Sequence, residues 1–216
     1  RTAPERRPPG HIEAVKPAQL AIESFSKPTE SHYRFLLGLY FETENHAQAT
    51  VLLEKLILKF PNNKEYWLQL ASLYSQKNRE QDSLAVTEMA YRRQLLNRSE
   101  EIVRLSQLLL HLQNPHKAAQ ILEREMNAGN VEPSLKNHEL LASAWFNARE
   151  YQKAWPPLQS AAEQSSGGQI HFRLAQAQFE LEQYQDAIKN LELAQSKGSL
   201  NQPGAVYLLD GIAHYQ

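Results

Sequence analysis

Histidine is the residue type here best suited to chemistry near neutral pH, since imidazole can ligate a metal or carry a proton. The sequence has eight. A helical metal site needs ligands one turn apart, as in H-x3-H or HExxH. No pair has that spacing: His111 and His116 are five apart and flank the turn Leu112-Gln-Asn-Pro115. There is no cysteine, which removes disulfides, thiol nucleophiles and thiolate metal sites. Neither a G-x-S-x-G elbow nor a Gly-rich phosphate cradle occurs. Carboxylates are scattered over polar helix faces, and Asn97-Arg-Ser99 matches a glycosylation sequon of a kind that chance supplies in a chain this long. These residues predict no catalytic centre, no metal and no cofactor. The chain reads as a non-enzyme.

What remains is architecture. Hydrophobic residues make up 42% of the 216, enough for a continuous core, and only 8 Gly and 11 Pro interrupt long stretches of good helix formers. Basic and acidic side chains number 23 and 24, for a net charge of −1. Binding to nucleic acid draws on a basic face, and the one dense basic run is Arg6-Arg7 beside Arg1. Nucleic acid is therefore excluded as a partner. No run of 18 apolar residues is present, so no membrane-spanning segment is expected. No secretory signal is visible, but the chain opens on Arg, which is compatible with a trimmed signal or anchor.

The histidines find their place in an internal repeat. Tyr33-x2-Leu36-Leu37-x2-Tyr40 recurs as Trp67-x2-Leu70-Ala71-x2-Tyr74, Ile102-x2-Leu105-Ser106-x2-Leu109, His138-x2-Leu141-Ala142-x2-Trp145, His171-x2-Leu174-Ala175, and Tyr207 with Gly211. The anchors lie 34, 35, 36, 33 and 36 apart. Sixteen residues after each anchor stands a small side chain: Ala49, Ser83, Ala118, Ala154 and Ala187. Leu53, Thr87, Leu122, Leu158 and Leu191 follow four later, and Leu56, Ala90, Glu125, Ala161 and Ala194 three after that. Offsets of four and three place one stripe on one helical face, and short side chains let helices approach closely.

This pattern, W-x2-L-G/A-x2-Y…A-x3-F/L-x2-A-x4-P, resembles the tetratricopeptide repeat (TPR), and Phe60-Pro61-Asn62 keeps the closing proline. The fold class expected is all-α: a right-handed α-α superhelix, a TPR solenoid of five full repeats plus the first helix of a sixth. Repeats start near 31, 65, 100, 136, 169 and 205 within an array over 31–216. Because a solenoid ends poorly on a bare apolar helix, a longer array is expected. His138 and His171 occupy anchor positions and read as packed aromatic substitutes. Pro156-Pro157 implies either a late start or a kink in the second helix of repeat four, and Gln178 stands where the first helix of repeat five should carry an aromatic. Residues 1–16 read as a disordered linker, with polyproline II recognition as the alternative. Residues 17–30 read as a capping helix, the alternative being a pseudo-ligand in the array's own groove.

In TPR arrays the first helix of each repeat, helix A, lines a concave face. The matching exposed positions here are Arg34, Phe41 and Glu42; Glu65, Leu68, Ser72 and Gln76; Val103, Gln107, Leu110 and His111; Lys136, Glu139, Ser143, Phe146 and Asn147; Gln169, Phe172, Gln176, Phe179 and Glu180; and Leu208, Ile212 and Tyr215. From these, Arg34, Phe41, Leu68, Gln107, Lys136, Phe146, Asn147, Phe172, Gln176, Phe179 and Tyr215 are the candidate protein-binding residues. Aromatic anchors desolvate large area at low entropic cost; the alternative is that such rings are core between neighbouring A helices. The carboxylate clamp of one TPR subclass is not matched, because Arg34, Gly38, Gln69 and Glu65 replace its Lys/Asn/Lys/Arg set.

Three further stretches, Asn62-Asn-Lys-Glu-Tyr-Trp67-Leu-Gln-Leu-Ala-Ser-Leu-Tyr74, Ala90-Tyr-Arg-Arg-Gln and Leu109-Leu-His-Leu-Gln-Asn-Pro-His-Lys-Ala-Ala119, resemble the TPR proteins that accompany some bacterial TonB energy-transduction systems. That resemblance spans Tyr33 to Gln216. It implies a Gram-negative periplasmic protein, with cytoplasm the alternative, that assists TonB-dependent uptake by binding a protein or peptide, such as a TonB-system component. Competing expectations are an assembly factor of a secretion, polysaccharide-export or pilus system, and the regulatory array of a larger enzyme.

Overall fold

The computed structural model describes residues 10–216, and every regular element among them is an α-helix. Two compact units divide at Leu96 and Asn97. The first contains α1(Gly10–Ser24), α2(Glu30–Glu42), α3(His46–Lys59), α4(Lys64–Gln76) and α5(Glu80–Arg92). The second contains α6(Ser99–His111), α7(Pro115–Asn127), α8(Leu135–Asn147), α9(Tyr151–Gln164), α10(Gln169–Glu180), α11(Tyr184–Lys197) and α12(Pro203–Tyr215). The even-numbered helices α2 to α10 are the A helices of five hairpins, each followed by its helix B, and α12 is a sixth A helix. The expected TPR-type fold is present.

Each hairpin turns at a left-handed residue. Glu44, Asn78, Gln113, Arg149 and Glu182 have φ between 55° and 59°, and each stands eleven residues after its anchor. The next residue donates its N–H to the carbonyl five back: Asn45 to Tyr40 (2.8 Å), Arg79 to Tyr74 (2.9 Å), Asn114 to Leu109 (2.8 Å), Glu150 to Trp145 (3.0 Å) and Gln183 to Gln178 (2.9 Å). This is the Schellman closure of a helix C-terminus, which satisfies carbonyls that the helix leaves over. The backbone thus repeats with the sequence period.

The stripe of small residues is the seam. Ala49, Ala118, Ala154 and Ala187 are sealed from solvent, and Ser83, in the same position, donates its hydroxyl to the Ala71 carbonyl at 2.9 Å. Leucines three residues after the first five anchors (Leu36, Leu70, Leu105, Leu141 and Leu174) are all buried. Each such leucine contributes about 1.5–3 kcal/mol relative to exposure.

Two expectations are corrected. The N-terminal helix begins at Gly10, not Pro17, so residues 10–16 are helical; residues 1–9 of the expected linker lie outside the described residues. This helix packs on α2 as a helix B does: Val15, Ala18 and Ile22 meet the core of the first unit, and Gln19 Nε2 donates to Tyr40 Oη at 2.7 Å. Gln19 stands five residues after Ala14, as Glu54, which receives the Tyr74 hydroxyl at 2.7 Å, stands five after Ala49. The late start proposed for α9 is also excluded. That helix opens at Tyr151, with Pro156 and Pro157 inside it and Pro157 buried. The missing N–H groups release the carbonyls of Gln152 and Lys153, two exposed residues, from helical pairing.

Candidate polypeptide-binding surface

The A helices of the first unit place Arg34 in solvent, while Leu68 is half-buried and Phe41 is half-buried against the unit's core. Glu65, Ser72 and Gln76 are exposed. Phe35, beside Arg34 and not among the expected residues, is 62% exposed. At the start of α2, Glu30 Oε1 accepts hydrogen bonds from Asn63 Nδ2 (2.7 Å) and the Tyr66 hydroxyl (2.8 Å). Those donors, Asn63 first, hold the Glu30 carboxyl below its usual range, whereas burial and the contact with Glu30 push Tyr66 up to about 12. The pair joins α2 to the start of α4.

In the second unit Gln107, Lys136 and Asn147 are exposed and Gln176 is half-buried. Arg173 Nη1 donates to Ser143 Oγ at 2.6 Å and ties α10 to α8 along their exposed sides. On α12, Leu208 and Ile212 are exposed and Tyr215 is 89% exposed. The other three rings are engaged in packing. Phe172 is only 7% exposed and belongs to the core formed with Ala175, Leu191 and Val206, which corrects its reading as a groove anchor. Phe146 meets Tyr151 edge-on at 5.2 Å, and Phe179 meets Tyr184 in the same way at 5.3 Å. Each of these pairs closes its own hairpin across the left-handed turn. The spacing of five residues between partners was readable in the sequence, but its meaning depends on the turn.

A second feature lies on the helix-B side of the second unit. A cleft of about 590 Å³ opens between α9 and α11 and is floored by His171, Leu174 and Gln178 of α10. His171 Nδ1 lies 3.1 Å from Asn190 Oδ1, and Asn190 Nδ2 donates to Gln178 Oε1 (3.0 Å) and the Asp186 carbonyl (3.2 Å). Because the backbone carbonyl can only accept, it fixes the Asn190 amide orientation, and His171 Nδ1 is then the donor to Asn190 Oδ1. His171 Nε2 is buried without a hydrogen-bond partner. The sequence marks His171 as a packed aromatic substitute and Gln178 as standing where an aromatic belongs, but shows neither as part of a cleft. Among the described residues no three potential metal ligands converge, and no helix is long and apolar enough to cross a membrane.

Paired helices, a left-handed Schellman turn in every hairpin and a buried stripe of small residues define a TPR-type helical repeat protein. The family described as anaphase-promoting complex, cyclosome, subunit 3 matches residues 130–194. Among solved structures, YrrB, described as a TPR protein with an unusual peptide-binding site, is 16% identical; the alignment covers 94% of this chain and 100% of that one at a TM-score of 0.60. MamA of AMB-1 is 16% identical over 78% of this chain and 98% of its own, with a TM-score of 0.57. MamA from Desulfovibrio magneticus RS-1 is also 16% identical, over 76% and 92%, at 0.52. No curated protein matches the sequence.

Proposed function

We propose that this chain is a non-catalytic protein-binding scaffold, an accessory of a TonB-dependent uptake system in the periplasm of a Gram-negative bacterium. It docks a polypeptide on the exposed sides of its A helices. The observation that carries this reading is the set of A-helix side chains left open once the core is assembled: Arg34 in the first unit, and Gln107, Lys136, Asn147 and Tyr215 in the second. Within each unit they are polar or amphipathic and open to solvent, which suits contact with a polypeptide segment. YrrB, which shares the fold, is described as having a peptide-binding site. The TonB setting rests on the three sequence stretches quoted above.

Binding of purified periplasmic segments of TonB-system components, followed by calorimetry, tests both parts. Saturable binding that falls tenfold or more in Lys136→Glu/Asn147→Ala supports the docking face. Binding that survives this change, with Arg34→Glu also silent, overturns that face. If no component binds while the protein retains its helical circular dichroism, the TonB assignment fails.

A further inference from the structure

The seventh residue after the anchor is a ring in three of the five A helices, and in each it reaches the preceding helix. Tyr40 meets Gln19 of α1, Tyr74 meets Glu54 of α3, and Trp145 donates its indole N–H to Glu123 of α7 at 3.3 Å. Trp145 also lies under Lys153 Nζ of α9, 4.6 Å from the ring centroid, so the indole fills the space between two consecutive B helices. In α10 this position is Gln178. The cleft occupies the place of the missing ring. The polar partner of that ring is still supplied: Gln159 stands five residues after Ala154, as Glu54 and Glu123 stand five after Ala49 and Ala118, and it lines the cleft. Trp155 forms another part of the wall and Leu193, 44% exposed, stands at its edge.

We infer that this cleft is a second binding site, which takes a tyrosine side chain presented by a partner polypeptide in the position that Trp145 fills in the repeat before. The ring lies against Trp155 and Leu174, where aromatic packing adds to area burial. Its hydroxyl meets the Gln159 amide and, after a side-chain adjustment within the cleft, the buried and unpartnered His171 Nε2. A buried ring nitrogen without a partner makes the empty site costly, which favours a phenol, able to donate or accept, over a plain benzene ring. The site lies on the helix-B side and goes beyond the docking face proposed above.

The probe is N-acetyl-tyrosinamide added to the intact protein, followed by NMR of the Trp155 indole and His171 imidazole resonances. The expected result is saturable binding in about the millimolar range, at least fivefold tighter than N-acetyl-phenylalaninamide. Gln178→Tyr, which restores the internal ring, and Leu193→Lys, an exposed change that leaves the core untouched, should each weaken binding tenfold or more. Lys136→Glu should leave it unchanged, which separates this site from the A-helix face. Absence of any shift at Trp155, or binding unaltered in both cleft variants, overturns the site. Equal affinity for the two amides overturns the recognition of a hydroxyl.

Discussion

Trp145 and Gln178 hold the same position in consecutive repeats of one unit, and their surroundings differ as much as their chemistry. Around Trp145 the fold is closed: a carboxylate receives its indole N–H, His116 meets its ring edge-on at 5.4 Å, and a lysine covers it. Around Gln178 a chain of amides replaces the ring and a cleft remains. Both residues accept the same Schellman hydrogen bond through their carbonyls. The backbone of a repeat therefore needs the turn and the small stripe. The ring is an addition that seals consecutive B helices; Leu109 fills the same position with an aliphatic side chain, and where the amide of Gln178 stands the hairpin is kept but a cleft remains.

The largest test of this contrast is truncation at the two positions. Trp145→Ala should cost about 3–5 kcal/mol in urea denaturation, because a sealed ring leaves a cavity. Gln178→Ala should cost only about 1–3 kcal/mol, chiefly for the one Asn190 amide hydrogen left unpaired. Equal losses would break the distinction. Next comes Pro156→Ala in α9, the helix that supplies Trp155 and Gln159 to the cleft. Restoring an N–H to an exposed helical position should stabilise the protein by about 1–3 kcal/mol; a loss in the same assay would mean that the proline pair holds α9 in place.

The first unit offers a pH test of the closed arrangement. Tyr74 is pushed from 10.0 to about 12, mainly by burial and then by its bond to Glu54. A raised phenol favours the protonated folded state, so its contribution is complete below pH 10 and disappears as pH rises towards about 12. Far-ultraviolet circular dichroism in urea should show stability falling through that window, with a shallower fall in Tyr74→Phe. The smallest effects are expected at the turns. Glu182→Gly should stabilise by about 0.5–1 kcal/mol, since glycine adopts φ near 59° without a Cβ clash, and Asn78→Gly by less, because asparagine tolerates that region. Thermal unfolding of the two variants compares them directly.

Much of this was legible beforehand because a period of about 34 residues reports a repeated backbone. The anchor spacing marks the left-handed turns residue for residue, and Ala49, Ala118, Ala154 and Ala187 announce the buried seam. The candidate site was less legible. Phe146, Phe172 and Phe179 share a face with exposed neighbours on a helical wheel, yet two of them close hairpins and the third is core. A wheel shows only where a side chain leaves its own helix.

By itself the sequence determined the helices, their pairing and the places where they approach closely, since these follow from local spacing and side-chain size. Which rings stay free, that the N-terminal helix takes the place of a helix B, and that Gln178 leaves a cleft beside His171 were decided only by tertiary structure. Those outcomes depend on what a neighbouring helix places opposite each residue, and burial is shared between segments distant in the chain.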